Sequence, residues 1–217
     1  MIGIVDYGAG NLGSVMNAFG RLGIAARFVR GPDELSAAAF SGGGLRGGSP
    51  FERVVFPGDG HFATAMGSLE KSGYADAIRA WIQADKPFLG ICIGLQLLFD
   101  SSDEAPPVNG VPVKGLGILR GTVKLFPGRK VPLIGWNSTE TRKNTRLFAG
   151  TPDKTFFYYI HSYYVAPEND TDTASQADYY LKYCSAVERG ALAAVQFHPE
   201  KSGPLGLSLL KTWAERS

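Results

Sequence analysis

The chain has 217 residues, 44% of them hydrophobic, with 22 basic against 20 acidic side chains and a net charge of +2. That length supports one domain with a substantial core, and residues 1–217 are read as a single unit. A balanced charge without a basic block argues against a nucleic-acid surface, and no run of about 18 apolar residues suggests a membrane span.

Ile2–Asp6 is a short apolar run closed by Tyr7-Gly8, which predicts a buried strand starting at once. The segment lacks the basic head and small-residue cleavage site of an export signal. Leu12, Val15, Met16, Phe19 and Leu22 recur at helical spacing up to Gly23. Strands are expected at Ile24–Val29 and Arg53–Phe56, the second closed by Pro57-Gly58. The Gly-rich stretch at 41–50 precedes a strand and lacks a Gly-Lys-Ser/Thr ending, so it reads as a flexible surface insertion and not a phosphate loop. Tyr74–Ala84 carries a helical pattern, Pro87–Ile91 a buried strand, and Leu95, Leu97, Leu98 and Phe99 the beginning of another helix. This alternation predicts an α/β fold with a mostly parallel central sheet flanked by helices. Beyond about residue 105, the segments Val111–Lys124, Phe156–Val165, Tyr179–Val187 and Leu192–Phe197 suit antiparallel strands, and Leu205–Trp213 a final helix.

Chemistry concentrates in two places. In Gly90-Ile91-Cys92-Ile93-Gly94, glycines on both sides of a cysteine suit a tight strand-to-helix turn, the device that exposes a nucleophile in hydrolases. A thiolate there gains from the helix dipole, and the Ile93 N–H points at a developing oxyanion. In His198-Pro199-Glu200, a His and a Glu two residues apart on an extended segment face the same way, so Glu200 can orient His198 and His198 can take the Cys92 proton. Together they form a candidate Cys-His-Glu triad. Cys184 sits on an expected strand without such a setting and reads as structural. Two cysteines make no disulfide framework, and a cytoplasmic location with reduced thiols is expected. His61 and His161 compete for the base role, but His161 lacks an adjacent carboxylate and His61 is expected near a helix start. Three scattered histidines have no ligand spacing, so no metal and no cofactor are expected. A rival feature is Gly8-Ala9-Gly10-Asn11-Leu12-Gly13, which matches a dinucleotide-binding turn, with Asp33-Glu34 about 20 residues on. That reading leaves Cys92 and His198 without a role, and a tight turn with close helix packing explains the glycines equally.

These motifs resemble those of the class I (triad) glutamine amidotransferases, and more narrowly the glutaminase subunits of imidazole glycerol phosphate synthases. The resemblance covers nearly the whole chain, through Asp6-Tyr7-Gly8-Ala9-Gly10-Asn11, Pro57-Gly58-Asp59-Gly60, Gly90 to Gln96, Gly135-Trp136-Asn137, His161-Ser162-Tyr163-Tyr164 and Gln196 to Ser202. It implies a flavodoxin-like fold and hydrolysis of glutamine through a glutamyl thioester on Cys92, with Ile93 and the Gly58-Asp59 peptide as backbone oxyanion donors. It further implies that Gly60, Gln96, Glu104, Ser162 and Tyr163 hold the substrate, with Asp103 as an alternative to Glu104. Ammonia would pass to a (β/α)8-barrel cyclase partner that stimulates the glutaminase, with Asn11, Trp136, Tyr158 and Lys201 at the interface, although aromatics such as Trp136 and Tyr158 also fill cores. A glutaminase of another pathway, such as pyridoxal phosphate synthesis, shares the triad. Three departures from the family pattern stand out: the 41–50 insertion, Asp59 where an apolar residue is usual, and Leu133 where His is frequent.

Overall fold

The computed structural model describes residues 1–8, 10–36, 49–107, 111–142 and 145–216. The Gly-rich stretch at 41–50, apart from its last two residues, lies outside them.

In chain order the elements are β1 (Ile2–Val5), α1 (Leu12–Arg21), β2 (Ala26–Val29), β3 (Arg53–Phe56), α2 (Phe62–Ser72), α3 (Tyr74–Gln83), β4 (Phe88–Ile91) and α4 (Ile93–Gln96). There follow β5 (Ser101–Ser102), β6 (Gly121–Leu125), β7 (Leu133–Thr141), β8 (Thr155–His161), β9 (Tyr163–Pro167), β10 (Thr173–Tyr179), β11 (Leu181–Arg189), β12 (Leu192–Val195) and α5 (Gly203–Glu215).

One sheet runs β2-β1-β3-β4-β12-β11-β10-β7-β8. Its first five strands are parallel and the remainder antiparallel. A short flap of β5, β6 and β9 joins it at β11. Because side chains alternate along each strand, Val54 and Phe56 of β3 face one core while Val55 faces the other. Helices α2 and α3 cover the first face through Met66, Leu69, Ile78 and Trp81. Helices α1 and α5 cover the second through Val15, Phe19, Leu210 and Trp213. The parallel strands are buried on both faces and therefore read as continuous apolar runs.

The predicted β1, α1, β3, α3, β4 and α5 stand within one or two residues of their expected limits. Three expectations need correction. Helix α4 ends at Gln96 and does not continue through Phe99. The N–H groups of Leu116 and Ile118 take the carbonyls of Leu97 and Leu98, and Gly117 takes that of Phe99, so those carbonyls are unavailable to another helical turn. The 111–120 stretch is accordingly a loop packed on this turn, with an isolated bridge between Ser101 and Lys114, and Gly121–Leu125 is the strand. Phe156–Val165 is two strands broken at Ser162, which places His161, Ser162 and Tyr163 at a corner.

Candidate active site

The corner between β4 and α4 carries Cys92. Its amide donates to the Val195 carbonyl at 2.8 Å, anchoring the turn to β12. Cys92 holds φ +56° and ψ −110°, a strained conformation for a residue with a side chain. The flanking glycines make this approach possible. A Cβ on Gly90 would lie 2.7 Å from the Gly94 carbonyl oxygen, and one on Gly94 would lie 2.1 Å from that of Phe56. The Ile93 N–H, first in α4, has no intrahelical partner and is free to meet an oxyanion.

β12 leads directly into the second half of the site. His198 Nδ1–H donates to the Glu200 carboxylate at Oε1, 2.8 Å away, and both side chains are almost fully buried. Glu200 lies in a short 3₁₀ turn, Pro199–Lys201, and not on the extended segment expected. Pro199 at the first helical position starts that turn. His198 Nε2 makes no hydrogen bond and is left for the chemistry. Burial disfavours the imidazolium, but the Cys92 sulfur and the Glu200 carboxylate outweigh it and push His198 up to about 10. The charged imidazolium of His198 is thereby favoured beside the Cys92 sulfur. Cys184 is buried and its thiol is pushed up to about 12 by burial, which makes it a poor nucleophile.

Cys92 and His198 face a cavity of about 320 Å³, which Asp59, Gly60, Ile93, Gln96, Ser162 and Tyr163 also line. Glu104 lines it too, whereas Asp103 does not. Glu104 Oε2 accepts from the Phe62 N–H at the start of α2 at 2.6 Å, so the carboxylate is fixed in place. Gly58 sits immediately behind the wall, where a Cβ would strike the Tyr7 hydroxyl and the Ile93 side chain. Asn11 and Lys201 stand at the cavity edge, and Asn11 also caps α1 by accepting from Ser14 N–H at 3.3 Å. Trp136 and Tyr158 lie outside the cavity, on the outer face of β7–β8, in a T-shaped pair. The Tyr158 backbone nonetheless holds the site: its carbonyl accepts from His198 N–H, and its N–H donates to Ser202 Oγ.

Asp59 does not aim at the oxyanion position. Its Oδ1 accepts from Gly10 N–H at 2.9 Å, tying the 58–60 turn to the glycine loop after β1. That bond occupies an N–H that a pyrophosphate would need. Glu34, the acidic partner of a dinucleotide reading, is engaged bidentately by Arg27. Leu133 is buried and stands opposite His161 in the β7–β8 pairing.

Sequence reasoning missed the part played by two residues. His161 is buried: burial lowers it to about 4, against the pull of the Tyr163 carbonyl, so it is neutral, and its ring nitrogens are taken by the Tyr163 carbonyl and the Tyr183 hydroxyl, leaving neither for the Cys92 proton. Gln196 is fully buried and its amide reaches Cys92 Sγ. Its place two residues before His198 was the available clue.

Residues 3–215 match the family model described as glutamine amidotransferase class-I. The imidazole glycerol phosphate synthase subunit HisH of Desulfitobacterium hafniense is 42% identical over 216 residues, covering 99% of this chain and 94% of that one. The HisH subunit of Chlorobaculum tepidum is 41% identical, covering 99% and 100%. The chloroplastic protein hisHF of Arabidopsis thaliana is 42% identical, but this chain spans only 33% of its length. Among solved structures, PurLQS from Thermotoga maritima superposes with a TM-score of 0.70 at 16% identity, covering 98% of this chain and 96% of that one, a likeness of fold. The chain belongs to the class I glutamine amidotransferase family, among the HisH subunits of imidazole glycerol phosphate synthase.

Proposed function

We propose that this chain, as a single amidotransferase domain over residues 1–217, hydrolyses L-glutamine and supplies the ammonia to a (β/α)8 cyclase partner in histidine biosynthesis. The observation that carries this reading is the junction of Cys92 and His198–Glu200 on one cavity, on a chain 42% identical to HisH subunits. The Cys92 thiolate attacks the side-chain amide carbon, and the Ile93 N–H and the Asp59 N–H receive the oxyanion. His198 protonates the departing nitrogen, ammonia leaves, and a glutamyl thioester remains on Cys92. His198 then takes a proton from water as it attacks the thioester, and glutamate is released. Glu200 holds the imidazole in orientation and favours its charged form. Glu104 suits the substrate ammonium, and the Ser162-Tyr163 backbone with Gln96 suits its polar groups.

The outer face of β7–β8 supports a partner. Ile134, Trp136, Phe156 and Ile160 are each at least 40% exposed and lie on one face, with Ile134 opposite Ile160 and Trp136 opposite Tyr158. An apolar surface of this kind marks an interaction site. Ile160 also lines the cavity and the Tyr158 backbone holds His198, so docking there reaches the dyad directly. The absence of a partner would leave the chain a poor glutaminase. A reducing cytoplasmic setting keeps Cys92 unoxidised. Glutamate release measured with and without a cognate barrel subunit tests the reading: strong stimulation supports it, and equal rates contradict the coupling. Complementation of a histidine auxotroph separates it from glutaminases of other pathways.

A further inference from the structure

A buried polar chain ends on the nucleophile. The Tyr163 carbonyl is an obligate acceptor, and it receives His161 Nδ1 at 2.8 Å and Gln96 Nε2 at 3.1 Å. The first bond places the His161 proton on Nδ1, so Nε2 accepts from the Tyr183 hydroxyl at 3.3 Å. The second orients the Gln96 amide, whose other Nε2 hydrogen donates to Gln196 Oε1 at 3.1 Å. With its oxygen so engaged, Gln196 must present Nε2 elsewhere, and that atom lies 3.7 Å from Cys92 Sγ. Every link from Tyr163 to Gln196 therefore has one direction, and none needs water, because Gln96 and Gln196 are buried. The Gln196 backbone is pinned as well, with its N–H donating to the Ser185 carbonyl at 2.8 Å.

We propose that Gln196 is a thiolate-stabilising donor for the glutaminase reaction, holding the Cys92 sulfur with an amide N–H whose orientation is dictated by Gln96 and the Tyr163 carbonyl. The consequence is chemical. A neutral thiol gains little from an N–H donor, while a thiolate gains a charge-assisted bond. Gln196 thus favours the anion, and it needs no movement to do so. Since Gln96 and Tyr163 also line the cavity, a substrate that shifts either one changes the donor presented to the sulfur. The inference rests on Cys92 being the nucleophile.

The test is the pH profile of Cys92 alkylation by iodoacetamide in the intact protein, with the modified residue located by mass spectrometry. Gln196→Met keeps the length of the side chain and removes the donor. It should move the profile's midpoint up by about one pH unit, slow alkylation near pH 7 by about tenfold, and lower kcat while KM changes less than threefold. An unchanged midpoint in a folded variant overturns the proposal. If that variant does not fold, the wild type decides. The Gln196 side-chain amide proton, followed by NMR, should titrate with the midpoint of Cys92 alkylation and lose that titration in Cys92→Ala. An amide proton that ignores the titration overturns the proposal. Neither readout depends on turnover, so the nucleophile assignment is tested separately by the activity of Cys92→Ala.

Discussion

Replacing Gly94 by Ala tests the elbow more sharply than any change at its surface. The new Cβ would stand 2.1 Å from the Phe56 carbonyl oxygen, while ordinary contact begins at 3.4 Å. The gap must open by about 1.3 Å, and both sides are backbone within a packed core, so neither yields cheaply. Overpacking of this kind costs about 1–3 kcal/mol. For a domain of this length that corresponds to a melting temperature lower by roughly 2–12 °C. The larger effect is on rate. The displaced turn carries both the Cys92 sulfur and the Ile93 N–H, and a misplacement of about 1 Å costs on the order of 10²-fold. Glutamate release in the complete complex, with calorimetry on the same samples, reads both numbers. Gly67→Ala is the control: Gly67 is exposed within α2, and a Cβ there meets nothing within 4 Å. It should add about 0.5–1 kcal/mol of stability and leave the rate unchanged. Full activity in Gly94→Ala would refute the claim that close backbone approach sets the nucleophile.

Three further outcomes follow from the site. His198 deprotonates as pH rises through about 10, and its proton is needed by the leaving ammonia, so activity is lost above that pH; Glu200→Gln should move this alkaline limb down by about 1–2 units in a pH–kcat/KM profile, and an unmoved limb would separate Glu200 from His198. His161 has a folded pKa of about 4, below its unfolded value of about 6.5, so its contribution is complete above pH 6.5 and is lost as pH falls toward 4. Urea unfolding should show about 3 kcal/mol lost to this group across that window, and His161→Phe should flatten the dependence by about one proton. Trp136→Ala, at an exposed aromatic on the β7–β8 face, should weaken binding of the barrel partner by more than about tenfold in calorimetry while leaving Cys92 alkylation unaffected; unaltered affinity would move the interface elsewhere.

The parallel half of the fold was legible because its strands are buried on both faces and its helices carry one apolar stripe. Ile2–Val5, Arg53–Phe56 and Phe88–Ile91 announce themselves as short apolar runs ended by turns. The antiparallel half was harder to read. β10 is rich in polar residues, yet Ser175 is fully buried because its hydroxyl meets that of Ser185 across the sheet at 2.7 Å. β7 contains Gly135 and Asn137, which weaken any strand signal, and its pairing with β8 comes from long-range contacts that no local pattern records. Helix α2 hides behind a mid-helix glycine and an uncommon cap, His61 Nδ1 accepting from Ala63 N–H. In the site, the Cys92 turn and the His198–Glu200 pair are local in sequence, so their chemistry could be read directly. The Gln196 and His161 contributions could not, because each depends on the direction of hydrogen bonds between β8, α4 and β12.

The assignment of the nucleophile stands or falls on glutamate release by Cys92→Ala in the complete complex with its barrel partner and that partner's ligand. Removing the group placed to form the thioester should lower the rate by at least about 10⁴-fold, while binding of the partner and the melting temperature remain close to those of the parent. Turnover within tenfold of the parent would show that glutamine is opened by another group and would contradict the account at its centre.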